Sequence, residues 1–338
     1  MTRYAVPLAT LMLTLVLVPN IAQATEPGKN GEIALSTLVN GTSQVFTVNP
    51  DGARLRQITH RDTGAGQFGL AWSPDGTGLL FTVTDSKGKD QIVKARADGG
   101  GVTVISPACT GTCLGDDGPA YSPDGKKIAF ERAFGPIVKG NASVVAIFTM
   151  NSNGRDLTQL TQKSTPTTSE DHSPRWSPDG MRIAFVRFNT TAPPSKEGAI
   201  EVMNSDGSNI RRLTSFATDA ADPRWSPDGT RILFNTYAEA TREKSSNLYT
   251  MHIDGTHLVA LTHYTGGALQ AVADDWSPDG KKILYRRLVL SGTSTQAGAF
   301  YTIDKDGKHP RPARGGAPRL GSVRLHDEDR RDAYDVRQ

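Results

Sequence analysis

Short apolar runs separated by polar turn sequences recur along the chain, and their order repeats. One unit reads Ile183-Ala184-Phe185, then Ile200-Glu201-Val202-Met203, the turn residues Asp206-Gly207, and Ile210–Thr214. The same succession runs from Leu79-Leu80-Phe81 to Val102–Ile105, from Ile128-Ala129-Phe130 to Leu157–Thr161, and from Ile232-Leu233-Phe234 to Leu258–Thr262. Glu32–Leu35, Val45–Val48 and Leu55–Thr59 carry it at the start, and Ile283-Leu284-Tyr285 to Asp306-Gly307 at the end. Such runs, short and rich in β-branched and aromatic residues between turn signals, predict strands.

A five-residue phrase introduces most units. Trp-Ser-Pro-Asp-Gly stands at Trp72–Gly76, Trp176–Gly180, Trp225–Gly229 and Trp276–Gly280, and Tyr121–Gly125 is a variant with Tyr in first place. The aromatic residues are 49, 55, 49 and 51 positions apart, a period that marks a repeat architecture. Pro presets φ for the first central position of a tight turn, Asp suits the second, and Gly accepts the left-handed conformation that follows. Each phrase therefore ends one strand and starts the next.

Four strands per unit follow, a to d, with strand a ending in the aromatic residue. Strand b is apolar at successive positions, as suits a sheet covered on both faces. The expected fold is all-β: a six-bladed β-propeller of four-stranded antiparallel blades. Five strand-a phrases accompany six sets of strands b, c and d, because the set from Glu32 to Thr59 has no strand a of its own. The alternating segment Gly321-Ser322-Val323-Arg324-Leu325 is expected to supply it, closing the ring with a C-terminal strand. The propeller would then occupy residues 25–326, and residues 327–338 form a charged, solvated tail.

The N-terminus adds an address. Arg3 precedes the apolar stretch Val6–Val18, Pro19-Asn20 breaks it, and Ala22-Gln23-Ala24 has the small-x-small form of a cleavage site. Residues 1–24 read as a signal peptide cut after Ala24; the apolar stretch is short for a membrane span. The mature chain is expected to have no membrane span and to be periplasmic or secreted. Export implies oxidising conditions, so Cys109 and Cys113, which flank Thr110-Gly111-Thr112, are expected to form a disulfide stapling one loop. Charge is near balance, 38 basic against 35 acidic residues for a net +3, with no basic run. That argues against a nucleic-acid partner.

In this topology the a–b and c–d connections share one end, and they are the tight turns. The b–c and d–a connections share the other end and hold most of the loop length: Ala133–Ser143, Asn189–Gly198, Ala238–Ser246, Ser291–Gly298 and the Cys109–Cys113 loop. Loops on a rigid scaffold commonly carry function, so this end is the candidate binding face. Where the chain enters strand a, charged residues cluster. Asp116 and Asp117 precede Tyr121; Asp171, His172 and Arg175 precede Trp176; Asp219, Asp222 and Arg224 precede Trp225; Asp274 and Asp275 precede Trp276. Folded into a ring, they would gather at one mouth of the central channel. They could ligate a divalent cation such as calcium or form an acidic socket for a basic partner segment. Alternatively, each Asp caps its own loop through backbone N–H groups. No cofactor and no catalytic residue is assigned: Gly-x-Ser-x-Gly, His-Glu-x-x-His and phosphate-loop motifs are all missing.

The Trp-Ser-Pro-Asp-Gly phrases, Ile-Ala-Phe, Met203–Gly207 and Arg211–Thr214 together resemble the WD-like repeats of the TolB propeller family, over roughly Gly31 to Gly307. The resemblance implies six blades, a cell-envelope location and protein binding at the propeller mouth, with a Pal-like lipoprotein as one partner. TolB carries an α/β domain ahead of its propeller. Here only residues 25–30 separate the signal peptide from the first repeat, so the resemblance implies the propeller part alone. The leading expectation is an exported, monomeric, non-catalytic scaffold that binds a protein or peptide at its long-loop face. The alternatives are a metal-dependent propeller enzyme of lyase or lactone-hydrolase type, or a carbohydrate or small-molecule binder using the channel-mouth Asp cluster. Propellers host many functions, so the fold cannot choose among them.

Overall fold

The structure, a computed structural model, describes residues 31–39, 42–49, 53–60, 67–135, 144–162, 169–189, 197–236, 245–291 and 294–313. The signal peptide, the closing segment Gly321–Leu325, the tail and much of the b–c connections lie outside the described residues.

The chain folds into six successive antiparallel sheets, the blades of the propeller. Blade one holds β1 (Ile33–Val39), β2 (Thr42–Val48) and β3 (Arg56–Gln57). Blade two holds β4 (Gln67–Trp72), β5 (Gly78–Thr84), β6 (Asp90–Arg96) and β7 (Thr103–Val104). Blade three follows as β8 (Cys113–Tyr121), β9 (Lys127–Phe134), β10 (Val144–Asn151) and β11 (Thr158–Gln159). Blade four is β12 (Ser169–Trp176), β13 (Arg182–Asn189), β14 (Glu197–Asn204) and β15 (Arg211–Arg212). A single 3₁₀ turn, Phe216–Thr218, leads into blade five, which is β16 (Ala220–Trp225), β17 (Arg231–Thr236), β18 (Leu248–His252) and β19 (Val259–Ala260). Blade six closes the described chain with β20 (Leu269–Trp276), β21 (Lys282–Ser291), β22 (Ser294–Asp304) and β23 (Arg311–Pro312). Strand a ends on the aromatic residue in all five blades where it is described, as the pattern predicts.

The turn phrase works through its Ser and Asp. In Ser73-Pro74-Asp75-Gly76 the Gly76 N–H donates to Ser73 O at 2.9 Å, closing the turn, and Gly76 has a left-handed φ of +69°. The Ser73 hydroxyl donates to Asp75 Oδ1 at 2.6 Å and accepts the Gly78 N–H at 2.8 Å. The same serine–aspartate contact recurs at Ser122, Ser177, Ser226 and Ser277. These hydroxyl bonds, with a backbone N–H two residues on, hold the Asp75, Asp124 and Asp279 carboxyls below the usual carboxylate pKa.

Strand d is shorter than its apolar pattern suggests, because a side chain takes over from the ladder. After two paired residues, the N–H groups of Leu160 and Thr161 both turn to Ile147 O, and the Thr161 hydroxyl accepts the Ile147 N–H at 2.9 Å. Thr59, Thr214 and Thr262 do the same for Val45, Ile200 and Leu248, and Ser106 for Ile92. The Leu-Thr ending is thus a side-chain cap on strand c, placing the preceding apolar residue in the core.

That core lies between blades. Trp225, Ile232, Phe234 and Met251 of blade five pack against Ala184, Val186, Phe188 and Ile200 of blade four. Similar clusters join blades one and two, two and three, three and four, and five and six. Strand b is covered on both faces as a result: Ile183, Ala184 and Phe185 are all fully buried. Full burial of one such side chain stabilises the fold by about 1.5–3 kcal/mol relative to exposure.

Candidate functional site: the channel mouth

The start of each strand a is shaped by a bulge. Pairing with strand b slips between Phe68 and Ala71, Asp117 and Ala120, His172 and Arg175, and Ala221 and Arg224. At these bulges Gly69, Gly118, Ser173 and Asp222 hold left-handed φ of +58°, +61°, +53° and +52°. Bulges of this kind re-aim neighbouring side chains. Glycine adopts the conformation freely, whereas Ser173 and Asp222 hold it against a steric cost.

The carboxylates named from the sequence divide into two roles by their contacts. Asp116, Asp171 and Asp274 each meet an arginine of strand b in their own blade. Arg132 donates to both oxygens of Asp116 at 2.5 and 2.9 Å, and both residues are buried. Arg187 grips Asp171 the same way at 2.7 and 2.9 Å, and Arg286 donates to Asp274 Oδ1 at 3.0 Å. In blade four the pairing continues outward: Arg187 reaches Glu201 on strand c at 2.8 Å, and Glu201 reaches Arg212 on strand d at 3.1 Å. Three others bond backbone. Asp117 accepts the Gly118 N–H at 2.6 Å, Asp219 the Gly198 N–H at 3.1 Å, and Asp275 the Trp276 N–H at 2.8 Å. Asp219 lies beyond strand a, closing the 3₁₀ turn in a left-handed conformation.

His172 is buried between two carboxylates that the sequence reading did not single out. Its Nδ1 lies 3.3 Å from Glu131 Oε1 on blade three, and its Nε2 lies 3.3 Å from Glu170 Oε2. Glu131 also accepts the Ser173 N–H at 2.7 Å, tying blade three to the bulge of blade four. Burial alone would lower the imidazole pKa, but Glu131 and Glu170 outweigh it and push the value up to about 9. Burial likewise opposes ionisation of Glu131, yet His172 holds its pKa below the ordinary value. The group is an imidazolium clamped by carboxylates at neutral pH.

Arg175 and Arg224 complete the mouth. Arg224 donates to the backbone oxygens of Asp274 at 2.7 Å and Pro223 at 3.0 Å; Arg175 donates to Pro174 O at 2.8 Å. Both are buried, 8 % and 7 % exposed, and among the described residues neither meets a carboxylate at ion-pair distance. Burial and the adjacent Arg224 push the Arg175 pKa down to about 9. Burial raises the Asp274 pKa to about 6 despite Arg286 and Arg224. Of the eight buried side-chain atoms without a hydrogen-bond partner among the described residues, two belong to this charged group: Arg175 Nε and Asp274 Oδ2.

The sequence reading named these carboxylates and missed the counter-ions of three of them, Arg132, Arg187 and Arg286, and the clamp residues Glu131 and Glu170. A signal existed: Arg132 and Arg187 each stand two residues after the Phe of strand b, where the apolar run stops. Among the described residues no group of three or more His, Cys, Asp or Glu side chains is arranged to hold a metal ion. Cys109 and Cys113 are joined by a disulfide with Cα atoms 5.3 Å apart. Cys113 begins β8 rather than lying in a loop, and Lys89 Nζ donates to its carbonyl at 3.0 Å. The bridge borders a cavity of about 290 Å³ lined in part by Asp85, Lys89, Gln91 and Ser106. Among the described residues no helix is long and apolar enough to cross a membrane.

Comparison with known proteins agrees with this architecture. Residues 167–311 match the TolB beta propeller domain family. The structure of TolB from Acinetobacter baumannii superposes with a TM-score of 0.61 at 19% identity, covering 85% of this chain and 64% of that one. An oligogalacturonate lyase from Vibrio parahaemolyticus superposes with a TM-score of 0.62 at 13% identity, covering 94% of this chain and 82% of that one. An uncharacterized protein of Agrobacterium fabrum, Atu1656, is 29% identical over 43% of this chain and 47% of its own length. The chain spans less than half the length of the curated relatives it matches. The chain is a TolB-like β-propeller.

Proposed function

We propose that this protein is an exported, non-catalytic propeller scaffold that binds a protein or peptide partner at the channel mouth on its long-loop face. The observation that carries the reading is the use of the mouth's charges. Asp116, Asp171 and Asp274 are engaged by arginines of their own blades, and His172 by two carboxylates. The result is a rigid mosaic of fixed charges, and fixed charge patterns favour recognition and orientation of a partner. Export rests on the sequence of residues 1–24. The similarity to TolB supports a cell-envelope partner, for which a Pal-like lipoprotein is a candidate.

The second reading is a metal-dependent enzyme, supported by the lyase likeness and by a related lyase structure in complex with manganese. The residues at this mouth fit a metal poorly. Both ring nitrogens of His172 face carboxylates, which favours a proton on each and leaves no lone pair for a cation. Asp116 and Asp171 already have two oxygens each on arginine.

Affinity capture from envelope extracts, comparing the natural protein with a variant in which Asp171, Arg175, Asp222 and Asp274 are all Ala, tests the scaffold. A partner retained by the natural protein and lost by a folded variant is expected. Equal capture would remove the mouth from the interface. Metal-dependent eliminative cleavage of oligogalacturonate by the purified protein would overturn the non-catalytic reading.

A further inference from the structure

Arg175 lies on β12, a strand a that packs against β8 of blade three and β16 of blade five. The charges that act on it come from Arg224 and Asp222 on blade five, Asp275 on blade six and Glu131 on blade three. It is buried beside a second guanidinium, and its Nε has no partner among the described residues. Buried charges are ordinarily paired, because desolvation of an ion without a partner is costly. Asp222, Asp275 and Glu131 moderate that cost from beyond ion-pair distance. Two of these carboxylates are committed elsewhere: Glu131 to His172 and the Ser173 N–H, and Asp275 to the Trp276 N–H. Arg224 is held in place by two backbone carbonyls, so its guanidinium is oriented without being neutralised. Next to it, Asp274 Oδ2 is a buried acceptor without a donor. The mouth therefore presents an unfilled donor on one side and an unfilled acceptor on the other.

We propose that this mouth binds the carboxylate of an acidic peptide segment, received by Arg175 with Arg224 beside it, while Asp274 accepts a backbone N–H of the same segment. A peptide supplies acceptor and donor together, which a simple anion does not. Resting on the scaffold reading above, it gives the partner a sign: acidic, where the run of Asp residues by itself suggested a basic one. The reversal follows from pairing, since three of the acidic side chains already have arginine partners.

Fluorescence anisotropy with end-blocked, labelled hexaglutamate and hexaglutamine peptides at low salt tests the site. The expected result is tighter binding of hexaglutamate by about tenfold or more, the scale of one charge-assisted hydrogen-bond set. Arg175→Gln should lose that preference with its melting temperature unchanged or raised, because it removes a buried charge. Arg175→Lys, which keeps the charge without Nε, should retain only part of it, and Arg224→Gln should reduce it. Equal binding of the two peptides, or undiminished hexaglutamate binding by folded Arg175→Gln, overturns the carboxylate site. Partner capture by Arg175→Gln separates the two ideas: capture at the natural level, with hexaglutamate unbound by either protein, sinks the carboxylate and leaves the scaffold standing.

Discussion

At the short-turn end of the propeller, successive blades use the same atoms for the same purpose. Ser73, Ser122, Ser177, Ser226 and Ser277 each join their Asp two residues on. At the channel mouth the equivalent stretches differ from blade to blade. Blades three and four place an Asp opposite an Arg, Asp116 with Arg132 and Asp171 with Arg187. Blade five has Ala220 opposite Thr236 and Ala221 opposite Asn235, and blade six pairs Asp274 with Arg286 across an irregular register. Both ends are turns and strand termini on one scaffold. The difference shows that a repeat fold needs uniformity where neighbouring blades must match, and tolerates variety where the chain faces a shared opening.

Four measurements would break or sharpen this contrast. The largest effect is expected at the mouth. Asp116→Ala leaves Arg132 buried without its counter-ion and should cost about 3–5 kcal/mol in urea unfolding. Asp116→Leu combined with Arg132→Met should recover most of that loss, since replacing both charges removes the desolvation penalty. A double variant as unstable as the single one would show that packing, not charge, sets the cost.

At the uniform end, glycines should differ by what they approach. Gly207 has φ +84°, and a Cβ there would lie 2.9 Å from Leu160 O of the preceding blade. Gly76 has φ +69° with nothing within 4 Å. Gly207→Ala is expected to cost about 3 kcal/mol through strain and clash together, and Gly76→Ala about 1–2 kcal/mol through strain alone. Equal costs would mean that the blades do not bear on each other at that turn.

The pH dependence of stability should carry the mark of the mouth. The folded His172 pKa of about 9 lies above its ordinary 6.5. Its contribution is therefore fully present below pH 6.5 and is lost as pH rises through about 9, amounting to about 2 kcal/mol. Chemical denaturation from pH 6 to 10 should fall towards pH 9, and His172→Gln should flatten the fall. An unchanged profile in that variant would refute the clamp.

The smallest effect belongs to the strand-d cap. Thr161→Val keeps the shape but leaves the buried Ile147 N–H without its acceptor, and should cost about 1 kcal/mol. A neutral result would mean that water replaces the hydroxyl.

Much of this was legible in the order of residues. Trp-Ser-Pro-Asp-Gly encodes a turn by local rules, because Pro fixes φ and Gly accepts the left-handed conformation wherever they stand, and the blade count followed from counting the sets of strands b, c and d. The burial of Ile183-Ala184-Phe185 on both faces was legible from its unbroken apolar run. The acidic residues before Tyr121, Trp176, Trp225 and Trp276 stand out in the sequence, and the Cys109–Cys113 bridge was legible there.

What the linear order could not decide is which charges meet. Asp171 and Arg187, or Glu131 and His172, become neighbours only when hairpins pair and blades pack. Electrostatic partners are set by distances of a few ångströms across the fold, and these have no local signature in the chain. The sequence by itself determined the six-bladed framework. Only the tertiary structure decided that arginines of the same blades pair with Asp116, Asp171 and Asp274, while Arg175 and Arg224 are buried without carboxylate partners at ion-pair distance among the described residues.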